Sequence, residues 1–444
     1  MRAMFLPKNV LLCMQVLEQA NFKVYAVGGC VRDALLGLQP HDYDLCTNAS
    51  TEEMARLFSE YTLVRSGEKH GTIGVVMDKE VVEITTFRTE GGYVDGRHPD
   101  WVRFVDNVQE DLARRDFTIN AMAYSPAEGY VDPFGGEADL KNGILRTVGA
   151  PAERFSEDAL RILRGVRFAV RYSLAVEPET QAAMEALAPT MEKLARERVF
   201  EELCKLLPLV KAEDLLRFGP VLTQVLPELA PSVGFLQHNP HHLFDVFTHT
   251  AYVVESTPAS LALRWAALLH DCGKPDTFFL DENGRGHFHG HGQVSAKMAD
   301  GLLLRLKAPT ALRERVVFLI GQHMTTLAPD KRLLRRWLGK HGKDAVLELL
   351  ALQQADFGSK GVVGETASFE LLYALIDEVL AEKACLQIKD LQIGGNDLQA
   401  LGFPAGPLMG KCLAHLLEQV QDEKIANEKD ALLHAAATYL DKEK

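Results

Sequence analysis

The sequence predicts an α+β protein in which a mixed head is followed by a long helical body. Up to about residue 145, strand-like runs such as 72–77 and 81–84 alternate with short helices and glycine-rich breaks. After Pro151 the apolar residues recur at helical spacing, and this pattern continues to the end of the chain. At 444 residues the chain is too long for one hydrophobic core, so we expect several domains.

The change of pattern along the chain predicts four parts. They are a head (1–150), a helical neck (151–232), a histidine-rich region (233–365) and a helical tail (366–444) with a loop near residues 394–397. In the neck, the spacing predicts one continuous helix over 153–171, with an apolar stripe at Leu160, Leu163, Val166 and Val170.

Charge and composition limit the classes of function. A formal net charge of -13 argues against a protein coated by nucleic acid over its whole surface, although a local basic face is compatible with it. The sequence has no uncharged apolar run long enough to span a membrane, so we expect none. Seven cysteines without metal-type spacing fit reduced thiols and a cytoplasmic location.

The first chemical motif joins a glycine pair to two acids. Gly28-Gly29 ends a short apolar run and opens a helical pattern that carries Arg32. A glycine turn at a helix start leaves backbone N–H groups free to face an anion, and the guanidinium adds positive charge. Asp42 and Asp44 follow, and residues two apart in a strand point to the same side. Together these features predict metal-dependent chemistry on a nucleoside triphosphate.

Two further motifs supply arginines. Arg114 and Arg115 precede an apolar segment, so we expect at least one guanidinium to turn inward onto phosphate. Asp158 and Arg161 are three residues apart and would share one face of a helix. Such a pair can read an exocyclic amine and a ring acceptor, which cytosine and adenine both offer. Spacing alone favours the simpler alternative, an ordinary helix salt bridge.

In this order the motifs resemble those of class II tRNA nucleotidyltransferases, the CCA-adding enzymes of the polymerase-β-like nucleotidyltransferase superfamily. The matching residues are Gly28-Gly29-x-Val31-Arg32-Asp33, Asp42-x-Asp44, Arg114-Arg115-Asp116 and Glu157-Asp158-x-x-Arg161. The resemblance implies a polymerase-β-like head and template-independent addition and repair of the tRNA 3′-terminal CCA from CTP and ATP. A bacterial poly(A) polymerase, which shares the head, stays an alternative; those enzymes carry basic C-terminal extensions, whereas this tail is nearly neutral.

The resemblance also assigns roles to residues. It implies that Asp42 and Asp44 hold two Mg²⁺ ions, and that CTP and ATP are selected by Asp158 and Arg161. The remaining expected nucleotide contacts are Gly29, Arg32, Arg115, Arg164 and Arg167. The loop 91–100 resembles the flexible loop that accompanies addition of the terminal A, and 197–201 resembles the last motif of the family.

A separate motif occurs in the histidine-rich region. His270-Asp271, followed by Gly273-Lys274-Pro275, resembles the start of an HD metal-dependent phosphohydrolase domain. The resemblance implies a divalent transition metal held by His249, His270, Asp271, His291, His323 and Asp356. Other histidines nearby leave the ligand set open: His238, His241, His242, His287 and His289. Phosphodiesterase or phosphatase activity is expected here, and a phosphohydrolase whose head only binds nucleotide is a further alternative.

Overall fold

The computed structural model describes residues 3–91, 101–240, 242–360, 367–382 and 384–443. Its contacts divide the chain into two compact units. Unit 1 comprises Met1–Val210 and Arg217–Pro227, and unit 2 comprises Lys211–Leu216 and Glu228–Lys444. The finer division into four parts stays a prediction. Most of the loop predicted at 91–100 lies outside the described residues.

A mixed seven-stranded sheet forms the centre of unit 1. Its strands follow the order β3-β4-β5-β2-β1-β8-β9. They are β1 (Val24–Val27), β2 (Leu45–Thr47), β3 (Thr62–Val64), β4 (Thr72–Met77), β5 (Glu80–Thr86), β8 (Ala123–Ser125) and β9 (Gly129–Val131). Two further pairs are β6 (Arg88–Gly91) with β7 (Trp101–Phe104), and β10 (Ile144–Leu145) with β11 (Ala175–Val176). The runs predicted as strands at 72–77 and 81–84 are confirmed as β4 and part of β5.

The central position of β1 determines where the chemistry can lie. All four of its residues are buried, and β1 pairs antiparallel with both β2 and β8. β2 pairs parallel with β5, so residues that precede β2 and residues within β5 meet at one end of the sheet. The glycine turn follows β1 at this same end, because β1 and β2 run in opposite directions.

Helices cover the sheet and extend unit 1 beyond it. They are α1 (Lys8–Gln19), α2 (Gly29–Leu35), α3 (Thr51–Leu57), α4 (Val108–Ala113), α5 (Gly136–Lys141), α6 (Pro151–Glu157), α7 (Leu160–Arg171), α8 (Pro178–Leu187) and α9 (Arg196–Leu206). Helix α10 (Ala212–Val225) contributes residues to both units.

The prediction of one helix over 153–171 is wrong, because the helix is interrupted between α6 and α7. Asp158 has extended backbone angles, with φ -145° and ψ 105°. Its carboxylate accepts a hydrogen bond from the backbone N–H of Leu160 at 3.0 Å. A short acidic side chain that bonds to the backbone in this way favours a helix start over a helix interior.

Unit 2 consists mainly of helices, in keeping with the predicted helical body. They are α11 (Val246–Ser256), α12 (Leu261–Leu269), α13 (Lys274–Thr277), α14 (His291–Arg305), α15 (Thr310–Gln322), α16 (Lys331–His341), α17 (Lys343–Gly358), α18 (Ala367–Ala381), α19 (Gly395–Ala400), α20 (Pro407–Gln421) and α21 (Lys429–Glu443). One short hairpin, β12 (Phe279–Leu280) with β13 (Gly286–His287), precedes α14.

The C-terminal helices have a core of their own, built on fully buried Leu398, Leu416 and Leu432. The sequence predicts a loop near residues 394–397, but α19 begins at Gly395, where the Asp397 carboxylate accepts a hydrogen bond from the N–H of Gly394. Among the described residues, no helix is both long and apolar enough to cross a membrane.

Candidate functional site

The glycine turn after β1 brings two guanidinium groups close to the backbone. Gly28 has φ 76° and ψ -121°, which side chains rarely allow. A Cβ atom at Gly28 would lie 2.9 Å from Nη1 of Arg115, and one at Gly29 would lie 3.5 Å from Nη2 of Arg32. The turn therefore needs glycine at position 28 for both its angles and its close contact, and Arg32 and Arg115 converge on it.

The two acids lie just before β2 rather than within it. The backbone N–H of Val27 donates to the carbonyl oxygen of Asp44 at 3.0 Å, which extends the strand pairing by one residue. Asp42 and Asp44 both have exposed side chains. Partial loss of hydration and the nearby carboxylate of Glu83 raise the pKa of Asp44, while Arg115 lowers it. The predicted acids Asp42 and Asp44 therefore lie near Arg115, one of the two arginines at the glycine turn.

Glu83 is a candidate that the sequence motifs missed. The parallel register pairs Leu45 with Ile84, so the preceding residues Asp44 and Glu83 are neighbours across the two strands. Glu83 is exposed although it follows Val82, a buried residue of the same strand. A charged residue within the run Val-Val-Glu-Ile was the available signal, but nothing in the sequence showed which strand would lie beside it.

Arg32 is held by contacts on several sides. Its guanidinium donates to the side-chain oxygen of Asn120 and forms an ion pair with Asp33 at 2.8 Å. The same group lies over the ring of Tyr172, 4.5 Å from the centroid, and 5.3 Å from that of Phe168. Because both rings belong to the region of α7, the position of Arg32 depends on that helix.

Asp116 connects the turn after α4 with α7. Its carboxylate accepts hydrogen bonds from Nδ2 of Asn120 at 3.0 Å and from Nε of Arg164 at 2.9 Å. Burial raises the pKa of Asp116, but Arg164 and Asn120 outweigh this effect and lower it to about 2. Asp116 is therefore ionised at neutral pH, and Asn120 links it to Arg32.

Two further arginines of α7, Arg161 and Arg167, are each paired with an acid from another element. Arg161 is bonded to Glu157 of α6, and Nε of Arg167 lies 2.6 Å from Glu202 of α9. The side chains of Arg161 and Arg167 are 10% and 8% exposed, whereas that of Arg164 is 35% exposed. Of the three, Arg164 offers the most accessible surface to a ligand.

The predicted side-by-side pairing of Asp158 with Arg161 is absent among these contacts. Asp158 is instead paired with Arg198 of α9, whose Nη2 lies 2.7 Å from Oδ2 and whose Nη1 lies 3.4 Å from Oδ1. The physical reason is the helix break at Asp158, which removes the i,i+3 geometry that the prediction assumed. Arg198 belongs to the motif noted at 197–201, but its partner could not be deduced from the sequence.

The six predicted ligands of the histidine-rich region form one buried cluster in unit 2. Four histidines place Nδ1 against a backbone carbonyl: His249 with Ser359 at 3.2 Å, His270 with Ala267 at 2.8 Å, His291 with Phe288 at 2.8 Å and His323 with Ile320 at 2.6 Å. When Nδ1–H donates to a carbonyl, the lone pair of Nε2 is left for another partner.

All four Nε2 atoms face the carboxylate of Asp271. The distances are 3.3 Å from His270 and 3.6 Å from His249 to Oδ2, and 3.2 Å from His291 and 3.9 Å from His323 to Oδ1. Oδ1 of Asp356 lies 2.9 Å from Nε2 of His249. Two groups with metal-ligand spacing result, and they share Asp271: one adds His249 and His270, the other His291 and His323.

The electrostatics of the cluster favour a cation. Burial disfavours a charged His270, but the carboxylates of Asp271 and Asp356 outweigh it and raise the pKa of this imidazole. Nε2 of His270 is nevertheless buried without a hydrogen bond. Burial and the proximity of His270 lower the pKa of His323 to about 4, so this ring is neutral at pH 7. A neutral nitrogen, an unpartnered nitrogen and two carboxylates are donors that fit a divalent transition metal.

His242, one of the additional histidines, also lies near the cluster. The ring of His242 is 5.5 Å from that of His249, and burial together with Lys274 lowers the pKa of His242 to about 3. His238 packs on Phe278 instead. His241 lies outside the described residues. The six predicted residues therefore form the compact set, with His242 at its edge.

Three family models match successive parts of the chain. The family described as "Poly A polymerase head domain" matches residues 24–146. The family "Probable RNA and SrmB- binding site of polymerase A" matches residues 173–232. The family "tRNA nucleotidyltransferase domain 2 putative" matches residues 294–436, which include part of the histidine-rich region and most of the tail. The α+β fold with a polymerase-type head is confirmed.

Relatives match over nearly the whole length. The chain is 34% identical to a CCA-adding enzyme of Limosilactobacillus fermentum, over 96% of this chain and 95% of the relative. A crystal structure of the Bacillus stearothermophilus CCA-adding enzyme in complex with CTP covers 98% of this chain and 97% of its own, with 26% identity and a TM-score of 0.68.

The Thermotoga maritima CCA-adding enzyme complexed with tRNA_CCA shares the fold at 20% identity, with a TM-score of 0.58, over 98% of this chain and 96% of its own. The prediction drawn from the order of the motifs is confirmed, since near full-length relatives carry the same activity in their names. The chain belongs to the CCA-adding enzymes, the class II tRNA nucleotidyltransferases, and its activity is CCA addition.

Proposed function

We propose that unit 1 adds CCA to the 3′ end of tRNA from CTP and ATP by two-metal nucleotidyl transfer at Asp42 and Asp44. Use of a divalent metal follows from the nucleotidyltransferase family; the two Mg²⁺ ions and their ligands are the finer proposal. The single observation that carries it is the convergence of Asp42, Asp44 and Glu83 beside Arg115 and the Gly28 turn. Carboxylate oxygens are the donors that Mg²⁺ prefers.

The residues around the turn have different proposed roles. Asp42 and Asp44, with Glu83 as a neighbour, provide the negative charge that holds the ions. Bound ions at such a site supply activation of the RNA 3′-hydroxyl and charge neutralisation on the departing diphosphate. Arg115 and Arg32 lie beside the glycine turn, and this proximity supports a role for both guanidinium groups in binding the triphosphate oxygens. We propose that Gly29, at the start of α2, also contacts the triphosphate.

Nucleotide selection is assigned to the start of α7. We propose that Asp158 accepts from the exocyclic amine of cytosine or adenine while Arg161 donates to the neighbouring ring nitrogen. In the structure Asp158 is oriented by Arg198, so Arg198 acts as a positioning residue. Arg164 and Arg167 extend the same face; Arg164 is the more exposed, and Arg167 is locked to Glu202.

We infer a second activity for unit 2, a metal-dependent phosphohydrolase. It is supported by the four imidazoles whose Nδ1 atoms face carbonyls while their Nε2 atoms face Asp271. In the proposed reaction, the oxygen of water bonds to phosphorus, the ester P–O bond breaks, and the alcohol leaves with a proton from the water. Lys274, whose Nζ lies 2.6 Å from Asp271, provides positive charge at the same place.

The substitution Gly28→Ala tests the phosphate-binding turn. A Cβ atom there would meet Arg115 and would also strain a backbone with positive φ. We expect kcat/KM for CTP to fall at least about tenfold, equivalent to roughly 1.4 kcal/mol. Gly37→Ala is the matched control, since Gly37 has φ +72° and an added Cβ would meet nothing within 4 Å. An equal loss in both variants would show that backbone strain alone explains the effect.

The substitution Asp42→Ala tests the metal assignment. A tRNA transcript that ends just before CCA is incubated with Mg²⁺ and CTP, ATP or both. The wild type should add two nucleotides with CTP alone and three with both, and then stop. We expect Asp42→Ala to abolish transfer and to leave tRNA binding nearly intact, whereas Asp106→Ala, an exposed control, changes neither. Transfer at the wild-type rate in Asp42→Ala contradicts the assignment, and unlimited extension with ATP points to a poly(A) polymerase.

The substitution Arg198→Ala tests whether Asp158 must be oriented. We expect GTP and UTP to be incorporated by Arg198→Ala as they are by Asp158→Ala, because the carboxylate loses its fixed direction. Arg196→Ala on the same helix should keep the selectivity of the wild type. Misincorporation in single-nucleotide extension assays is the measurement. If Asp158→Ala still excludes GTP and UTP, the template assignment is wrong. If Asp158→Ala incorporates them but Arg198→Ala still excludes them, the positioning role of Arg198 is wrong.

The substitution His270→Ala tests the metal centre of unit 2. After loading of the full chain with Mn²⁺ or Zn²⁺ and removal of weakly bound ions, metal analysis should find bound metal in the wild type. We expect His270→Ala to lose most of it, because Nε2 of His270 is buried without a hydrogen bond and lies 3.3 Å from Oδ2 of Asp271. His434→Ala, an exposed histidine of the tail, should retain the wild-type content. Equal metal in all three proteins rules out this centre.

A further inference from the structure

The cluster of unit 2 opens into a cavity with two chemically different ends. The cavity has a volume of about 440 Å³, which is in the range of small-molecule sites. Its walls include the proposed ligands Asp271, His291 and Asp356. They also include His287 and His289, which belong to the hairpin β12–β13 and to the residues just after it. A ligand that fills this space reaches from the cluster to the hairpin.

The end near the cluster suits a phosphate group. Lys274 is buried, and its Nζ lies 2.6 Å from Oδ2 of Asp271 and 2.8 Å from the side-chain oxygen of Gln237. Nζ of Lys360 lies 3.5 Å from Oδ2 of Asp356. Both lysines line the cavity, so two ammonium groups flank the proposed metal ligands. This arrangement favours an anion with several oxygens over a neutral ligand.

The hairpin end is aromatic. The ring centroids of Phe279 and His287 are 5.2 Å apart with an interplanar angle of 21°, and those of His287 and His289 are 5.6 Å apart with an angle of 25°. The imidazole of His287 is oriented by Asp281, whose Oδ2 lies 2.8 Å from Nε2. His289 has an exposed side chain on the cavity wall. The rings of Phe279 and His289 are also in contact, with centroids 5.3 Å apart and an interplanar angle of 44°, so the three rings form a compact cluster whose exposed member on the cavity wall is His289.

The cluster of three rings is fixed relative to the phosphate end. The backbone N–H of Gly286 donates to the carbonyl of His238 at 2.8 Å. A Cβ atom at Gly286 would lie 2.1 Å from the carbonyl oxygen of Gln237, so the hairpin packs directly on this segment. Gln237 is also the partner of Lys274. The hairpin with the aromatic rings and the side chain of Lys274 therefore both contact the short segment 237–238.

We propose that His289, packed against His287 and Phe279, is a base-stacking subsite of the proposed phosphohydrolase centre of unit 2. This inference rests on the phosphohydrolase proposed above and names a residue that recognises the base of its substrate. Stacking on aromatic rings accepts any base, because each base has a flat face. A free nucleotide and the 3′ end of an RNA share this chemistry, and the experiment separates them.

The experiment uses the full chain loaded with Mn²⁺ and measures phosphate release from three substrates. They are adenosine 3′-monophosphate, a short oligoribonucleotide that ends in a 3′-phosphate, and glycerol 2-phosphate, which has no base. We expect His289→Ala to raise KM about tenfold for the substrates with a base, at similar kcat, and to leave glycerol 2-phosphate unaffected. Of the two substrates that carry a base, the one with the lower KM shows whether the subsite prefers a free nucleotide or the 3′ end of an RNA. His289→Phe should restore the wild-type KM, since it keeps the ring but has no nitrogen for a metal or a proton.

A control variant and a binding measurement make the outcomes distinct. Leu280→Ala, on the same hairpin and exposed, should behave as the wild type for all three substrates. Equal effects of His289→Ala on every substrate, no effect on any, or failure of His289→Phe to restore KM overturns the subsite. No phosphate release by the wild type overturns the phosphohydrolase instead. The subsite is then decided by calorimetric titration with adenosine 3′-monophosphate, in which weaker binding to His289→Ala than to the wild type supports it and equal binding overturns it.

Discussion

The buried carboxylate of Asp116 is the contact on which the arrangement of the polymerase-type site depends. It joins Arg164 of α7 to Asn120, and Asn120 in turn binds the guanidinium of Arg32 beside the glycine turn. A chain of charge-assisted hydrogen bonds therefore runs from the proposed phosphate-binding arginine to the helix that carries the selective residues. Because Arg164 and Asn120 lower the pKa of Asp116 to about 2, the negative charge that holds this chain together is present at every working pH.

The same principle explains how an acidic protein can hold arginines close together. Three guanidinium groups surround the ring of Phe168, with Arg32, Arg164 and Arg167 between 4.4 and 5.3 Å from its centroid. Like charges at such spacing repel, and each group is paired with an acid: Arg32 with Asp33 of the same helix, and Arg164 and Arg167 with acids from other elements. Each pairing restricts the conformational freedom of a guanidinium group but fixes its direction. A fixed direction suits a site that must distinguish bases by the geometry of hydrogen bonds.

Sequence reasoning found the motifs but could not supply all their partners. Asp42, Asp44, Gly28 and Arg115 could be identified because their chemistry is local: short spacings, a glycine turn and charges beside apolar runs. The helix break at Asp158 and its pairing with Arg198 could not, since the two residues are 40 positions apart and meet only through the packing of α9. Glu83 was missed for the same reason, because the sequence of one strand does not reveal which residues of another strand it pairs with. The members of the histidine cluster could be predicted from the order of their motifs in the sequence, whereas the backbone carbonyls that orient their rings could not.

The most direct test of this account is the fidelity of the variant Asp116→Asn, which keeps the shape of the side chain and removes its charge. We expect kcat/KM for CTP to fall about tenfold, equivalent to roughly 1.4 kcal/mol, and the preference for CTP over UTP to decrease, because Arg164 and Arg32 both lose orientation. Asp106→Asn, an exposed control in the same unit, should behave as the wild type. Unchanged selectivity and unchanged kcat/KM in a folded Asp116→Asn protein would contradict the claim that this carboxylate organises the site.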